Sequence, residues 1–323
     1  MASGTEKTFV SYSKDQGDAY ARARKDYSSR VYQAILDRHT SSSAAGGQLG
    51  LLMDVGTGPG TAVRALAPNF ADAIGLDASE GMIAAARSVG GKAGSGRPIQ
   101  FEVSPAEDLG SGLLPSPVAD GSVDLIVAAT AAHWFDMPRF WKAASRVLRP
   151  GGSVALMTAS AAGVHPSVPN AAAIQAIIDH HREVNLAPYM MPGNVMVRKL
   201  YADLPLPWSP TTTAASLGDG DQDLGFDRDS FYRKEWGPDN GEADSFMGDV
   251  HIDMDTFEKI LNTGSPQTRY HEAHPEDVGT DNDVVKVLRH KVEALLREAG
   301  VEAGKESLRT AVPGVLIMVR KKY

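Results

Sequence analysis

The stretch Met53-Asp54-Val55-Gly56-Thr57-Gly58-Pro59-Gly60-Thr61 decides how this chain folds. It closes the short apolar run Leu49–Val55 and opens a helical pattern over Thr61–Ala67. A glycine-rich turn between a strand and a helix sits at the carboxyl edge of an open α/β sheet, where such sheets bind ligands. Glycine there lets the backbone approach a ligand that a β-carbon would push away. Two kinds of cofactor compete for such a loop. A dinucleotide fingerprint spaces its glycines G-x-G-x-x-G and seats a pyrophosphate on the helix N-terminus. Here the spacing is G-x-G-x-G, the sixth position is Thr61, and Asp54 stands two residues before the first glycine. A carboxylate is an awkward neighbour for a pyrophosphate. It suits a ligand with a cationic end, such as the sulfonium and amino group of S-adenosylmethionine.

Outward from this loop, strands and helices alternate. Ala73–Asp77 reads as a second strand with a helix over Ser79–Ser88, and Ile99–Val103 as a third strand after the loop Gly90–Pro98. Val123–Ala129 is the fourth and strongest, Pro138–Leu148 a helix, and Ser153–Thr158 a fifth strand behind Arg149-Pro150-Gly151-Gly152. This spacing implies a parallel, doubly wound sheet. Asp77, at the end of the second strand, can accept both ribose hydroxyls of a nucleoside; dinucleotide enzymes place an acid likewise, so the loop spacing discriminates and Asp77 alone does not. Two further segments follow strand ends: Ser104-Pro105-Ala106-Glu107-Asp108 and Ala131-Ala132-His133-Trp134-Phe135-Asp136. The pair His133-Trp134 reads either as core packing at a strand end or as a pocket wall.

Four regions are expected. Residues 1–45 form an aromatic, basic N-terminal lid segment, and 46–160 the cofactor-binding core. Residues 161–280, rich in Pro, Trp, Tyr and Asp, form a substrate cap with Leu217–Asp223 as a moving loop. Residues 281–323 hold a helix with Asp281 as its N-cap, then a closing hairpin of Ser307–Ala311 and Val315–Arg320 joined at Pro313-Gly314.

Composition narrows the function classes. A net charge of −8 gives no general attraction to nucleic acid or anionic lipid, which depends on clustered Lys and Arg. The chain has no cysteine, which excludes disulfides, thiolate nucleophiles and Cys-ligated zinc. The polar start and the lack of an apolar run near the roughly 20 residues of a membrane span lead to the expectation of a cytoplasmic protein. His271-Glu272-Ala273-His274 and His180-His181 have no H-E-x-x-H spacing and read as solvated faces, so no metal is expected. The sequence does not fix an oligomeric state.

The strings Asp54-Val55-Gly56-Thr57-Gly58-Pro59-Gly60-Thr61-Ala62 and Gly75-Leu76-Asp77-Ala78-Ser79 with Met82 resemble motif I and its acidic follow-on in class I S-adenosylmethionine-dependent methyltransferases. Ala132-His133-Trp134-Phe135-Asp136 and Leu148-Arg149-Pro150-Gly151-Gly152 resemble later motifs of that family. Tyr20, Arg24, Tyr27 and Tyr32, with Ala187-Pro188-Tyr189 and Pro192-Gly193, are similar to segments of the fungal trans-aconitate methyltransferase-like subgroup. Asn194 stands where that subgroup tends to carry Arg, and Met190 where an aromatic residue is usual.

The resemblance implies a Rossmann-like doubly wound α/β sheet of seven strands, the last antiparallel, with an inserted cap region. It also implies that S-adenosyl-L-methionine is the cofactor. Carried over by position, Gly56, Gly58 and Gly60 with Asp54 would cradle the methionine part, and Asp77, flanked by Ala78 and Met82, the ribose. Ala106 and Glu107 would border the adenine, and Thr130 the methionine end. Arg24 would pair the cofactor carboxylate, or serve as a plain surface charge. The pocket for a small-molecule acceptor would be walled by His133, Trp134 and Phe135, with Tyr20, Tyr189 and Trp208 from lid and cap. His133 would orient substrate or act as a base. The expected reaction is O-methylation of a carboxylic acid or hydroxyl; the alternatives are another reaction on a methyltransferase fold and a silent regulatory binder.

Overall fold

The computed structural model describes residues 12–23, 26–41, 49–113, 117–212, 223–237 and 245–323. The first strand, β1 (Leu51–Val55), pairs in parallel with β2 (Asp72–Asp77) on one side and β4 (Val123–Ala129) on the other. β3 (Gln100–Val103) extends the sheet beyond β2, and β5 (Leu148–Ala159) extends it beyond β4, both in parallel. β4 explains its central place through its sequence: six of the residues in Val-Asp-Leu-Ile-Val-Ala-Ala are buried, the pattern of a strand covered on both faces.

Helices cover both faces. α1 (Lys14–Ala23) and α2 (Ser29–Thr40) come from the N-terminal segment, followed by α3 (Thr61–Leu66), α4 (Glu80–Val89) and α5 (Met137–Val147). On one face Phe140, Trp141 and Val147 of α5 bury against Val55, Ile126 and Leu156. On the other, Val31 and Ile35 of α2 with Val63 and Leu66 of α3 bury against Leu52, Leu125 and Met157. Each large apolar side chain buried in this way contributes roughly 1.5–3 kcal/mol. Capping sets the helix starts: Ser79 accepts the N–H of Met82, and Asp136 that of Arg139.

The rest of the chain adds β6 (Gly163–Val164), α6 (Ala171–His180), α7 (Pro192–Arg198), β7 (Phe226–Trp236), β8 (Val250–Asp253), α8 (Met254–Asn262), α9 (Ser265–Ala273), α10 (Val284–Glu298), β9 (Ser307–Ala311) and β10 (Gly314–Lys321). Among the described residues the main sheet has seven strands in the order β3-β2-β1-β4-β5-β10-β7. The last strand, β10, runs antiparallel to both of its neighbours, as expected.

Three expectations are corrected. Ser307–Ala311 and Val315–Arg320 do not form a hairpin. β9 pairs with β8 and β6 in a separate three-stranded sheet, while β10 enters the main sheet between β5 and β7. The turn-forming pair Pro313-Gly314 redirects the chain from one sheet to the other. The cap region 161–280 does not lie wholly over the sheet, because β7 within it is the sheet's edge strand. The N-cap of α10 is Asp283, whose carboxylate accepts the N–H of Val285, and not Asp281. A third apolar cluster holds the accessory part together, with Ile174 of α6, Phe257 of α8 and Leu288, Val292 and Leu296 of α10 packed on Ile252 and Leu308.

Candidate functional site

The glycine loop leaves β1 and is tied to β2 by the hydrogen bond from Thr57 N to Leu76 O (2.9 Å). Gly56 takes φ +65°, and a β-carbon on it would lie 2.5 Å from Ala131 Cβ. Gly58 takes φ +53°, and a β-carbon there would meet no protein atom within 4 Å. The first glycine is needed for packing, whereas the second leaves its open side to a ligand. Gly60 ends the loop as the residue before α3.

Two carboxylates flank the loop. Asp77 accepts the backbone N–H of Gly58 at Oδ2 (2.8 Å) and of Ser79 at Oδ1 (2.9 Å). Burial raises its pKa, and these two N–H donors oppose the rise. One lone pair of each oxygen remains, the arrangement that a vicinal diol can fill with two donated hydrogen bonds. Asp54 is 1% exposed, and its Oδ2 accepts the Thr57 hydroxyl (2.7 Å) and the Val63 N–H (3.2 Å). Its Oδ1 is buried with no hydrogen-bond partner among the described residues. Burial pushes this carboxyl up to about 7, against the pull of Thr57 and Val63. A buried carboxylate oxygen left without a donor is a place for a cationic group.

The strand ends beside the loop supply the remaining walls. Thr130, past the end of β4, has φ +53° and places its hydroxyl 2.9 Å from that of Tyr27. His133 and Trp134 lie in a short turn after it, their rings 4.5 Å apart, and Nδ1 of His133 is 2.9 Å from the Tyr201 hydroxyl. Trp134 is pressed on Gly193, where a β-carbon would sit 2.7 Å from the indole. The Phe135 ring lies tilted against that of Phe140, their centroids 5.3 Å apart. Glu107 accepts the N–H of Asp136 (2.8 Å), which joins the segment after β3 to the segment after β4, and Ala106 is buried. Ala78 is exposed and Met82 buried at the start of α4. Near that point α1 crosses α4, Gly17 facing Gly81 and Ala85.

The structure thus brings Asp54, Gly56, Gly58, Asp77, Thr130 and His133 to one edge of the sheet. Tyr189 and Trp208 stand in other groups of side chains. The Tyr189 hydroxyl bonds His274 Nε2 (2.8 Å), and its ring meets Tyr270. Trp208 meets Phe231 of β7 with Arg228 over its face. Tyr20 belongs to α1, Arg24 lies outside the described residues, and so does all of Leu217–Asp223 except Asp223. Among the histidines read as solvated, His271 contacts Asp283, and His274 brings its ring nitrogen within 4.8 Å of carboxylate oxygens of Glu276 and Asp277 at the surface.

Two residues were not singled out from the sequence. Tyr201 is one. Arg269 is the other: its Nε donates to Tyr189 O (2.8 Å) and its Nη2 to Asn194 Oδ1 (2.7 Å). A guanidinium therefore stands at the Pro192-Gly193-Asn194 segment although residue 194 itself is Asn.

Residues 53–156 match the methyltransferase domain family. This is a class I methyltransferase fold. A solved chain from Anaeromyxobacter dehalogenans, assigned as a type II methyltransferase, shares this fold with a TM-score of 0.59 and 24% identity over 93% of this chain and 99% of its own. Methyltransferase ptaI of Pestalotiopsis fici is 33% identical over 138 residues, which are 43% of this chain and 40% of that one. Malonyl-[acyl-carrier protein] O-methyltransferase of Dechloromonas aromatica is 33% identical over 116 residues, 35% and 38% of the two chains. The chain spans less than half the length of the curated relatives it matches first. The cofactor of this methyltransferase fold is S-adenosylmethionine. The open side of Gly58, the free lone pairs of Asp77 and the unpartnered Asp54 Oδ1 fit its methionine, ribose and cationic parts. No described helix is long and apolar enough to cross a membrane.

Proposed function

We propose that this protein O-methylates a small metabolite at a carboxylic acid or hydroxyl, and that the acid is the acceptor. The observation that carries methyl transfer is the pairing of the Gly58 loop with Asp77 and the buried Asp54. When bound, S-adenosylmethionine supplies an electrophilic methyl group on a sulfonium. The loop and Asp77 fix where that methyl stands, and His133, Trp134 and Phe135 wall the place of the acceptor. Holding two reactants in line can supply up to roughly 7–11 kcal/mol, so no nucleophile of the enzyme is required.

The acid is favoured by Arg269, whose positive charge stands at the segment that reaches Trp134 through Gly193. It is also favoured by the O-methyltransferase of Dechloromonas aromatica among the relatives. The resemblance of the Tyr/Arg and Pro-Gly strings to the fungal trans-aconitate methyltransferase-like subgroup supports the same reading. In this reading the N-terminal segment is a lid over the cofactor.

The test is transfer of radiolabelled methyl from the cofactor to a pool of metabolites, followed by mild base. Label recovered in a base-labile ester supports the proposal. Label in a base-stable ether or amine contradicts the acid acceptor, and no transfer contradicts the activity.

A further inference from the structure

The turn after β4 is backed by a buried phenol. Tyr201 is 1% exposed, and its hydroxyl meets Nδ1 of His133 at 2.9 Å. The chain bends sharply to put it there: Leu200 and Tyr201 are consecutive non-glycine residues at φ +50° and +59°. Such backbone is costly for L-residues and persists where its surroundings hold it. Arg233 of β7 holds it here by donating to Leu200 O (2.8 Å).

The polarity of the contact follows from what surrounds the Tyr201 oxygen. Among the described residues the Tyr201 hydroxyl has one hydrogen-bond partner, Nδ1 of His133, and a buried O–H left without an acceptor is costly. The phenol therefore places its proton on the acceptor at hand, Nδ1. Burial keeps the phenol protonated, far above its ordinary range, and pushes the His133 imidazole down to about 3. A neutral imidazole that accepts at Nδ1 carries its proton on Nε2. That second nitrogen makes no hydrogen bond to a described residue.

We infer that Tyr201 is a positioning residue that fixes His133 as the Nε2–H tautomer, so that the acceptor pocket offers a hydrogen-bond donor and no proton acceptor. The step from tautomer to acceptor rests on the reading of His133 as a wall of that pocket. Its consequence is a substrate class, acceptors that arrive as anions. When a carboxylate oxygen attacks, an O–CH3 bond forms as the S–CH3 bond breaks. The electron pair of the broken bond stays on sulfur, the charges of carboxylate and sulfonium cancel, and no proton has to leave. A neutral phenol or amine would have a proton to lose, and Nε2 could not take it.

The groups around His133 leave this state undisturbed. Tyr201 and Tyr27 are the nearby phenols. On the facing segment Arg198 and Lys199 are paired outward, with Glu183 and Asp203.

The experiment is long-range 1H–15N correlation of the histidine rings in 15N-histidine-labelled full chain, with and without S-adenosylhomocysteine. His133→Gln identifies the signal, and Tyr201→Phe keeps the ring while deleting the donor. The inference expects the wild-type proton on Nε2 from about pH 5 to about pH 9 with no titration, and in Tyr201→Phe a mixture of tautomers or a titration shifted toward the reference value near 6.5. A proton on Nδ1 in the wild type, a wild-type midpoint near 6.5, or a tautomer unchanged in Tyr201→Phe overturns it. Should Tyr201→Phe fail to fold, the wild-type spectrum decides alone. The spectrum requires no turnover, so it stands apart from the outcome of the methyl-transfer assay.

Discussion

The hydroxyl of Tyr27 lies 2.9 Å from the hydroxyl of Thr130, and this contact joins the N-terminal segment to the carboxyl end of β4. Its ring is also held edge-on between Tyr32 (6.1 Å) and Phe246 (5.6 Å). The segment proposed to cover the cofactor is thereby latched to the residue proposed to border its methionine end. Tyr27→Phe keeps the packing and loses the hydrogen bond, a change of about 1 kcal/mol. The expected outcome is an S-adenosylhomocysteine affinity weakened roughly fivefold, with faster proteolysis of residues 12–41 in the presence of ligand. Equal affinity and equal cleavage rates would show that the latch does not bear on binding.

Gly56 and Gly58 are expected to separate when each is changed to Ala. Both substitutions force a left-handed residue, costing about 1–2 kcal/mol. At Gly56 the new methyl also collides with Ala131, so Gly56→Ala loses stability beyond that figure. At Gly58 the methyl enters open space, so the protein stays folded and ligand binding falls at least tenfold. Thermal melts and titrations of the two variants check this; a Gly58→Ala variant with full affinity would contradict the placement of the cofactor against the loop.

Asp54 links stability to pH. Its folded carboxyl sits at about 7, against a reference near 3.9 in an unfolded chain. Between those values the folded state keeps a proton that the unfolded chain has released, so stability falls as pH rises. The slope is at most about 1.4 kcal/mol per pH unit, and it levels off above 7. In urea unfolding without cofactor, Asp54→Asn is expected to gain on the wild type as pH goes from 5 to 7.5. A constant difference across that window would mean that Asp54 ionises normally.

The order of the core was legible because parallel strands buried on both faces are continuous apolar runs, and because the glycine spacing has few uses. The edge strand Phe226–Trp236 was not legible. Its sequence, Phe-Asp-Arg-Asp-Ser-Phe-Tyr-Arg-Lys-Glu-Trp, carries the charges that keep an exposed edge from pairing with other chains, and it reads as a loop. The supposed C-terminal hairpin failed for a related reason. Pro313-Gly314 marks a change of direction, but local signals do not say which sheet each flank joins. In the site, Asp77 and the loop declared themselves by position along the chain. Tyr201 and Arg269 did not, since each meets its partner across 68 or 75 residues and neither lies in a motif.

His133 gives a kinetic expectation. With the imidazole held down to about 3 it is neutral throughout pH 6 to 8.5, and a carboxylate acceptor is ionised over the same range. Turnover should be nearly flat there, and His133→Gln, which still offers an N–H donor, should retain a measurable rate with the same profile. A rate rising tenfold per pH unit and abolished in the variant would mean general-base catalysis.

The claim on which the rest depends is that the Gly58 loop and Asp77 hold S-adenosylmethionine. Calorimetric titration of S-adenosylhomocysteine into the wild type and into Asp77→Ala tests it directly. Micromolar binding by the wild type is predicted. Loss of at least tenfold in the variant is predicted too, since about 1.4 kcal/mol of lost ribose contact gives that factor. No heat with S-adenosylhomocysteine, together with tight binding of NADH, would contradict it.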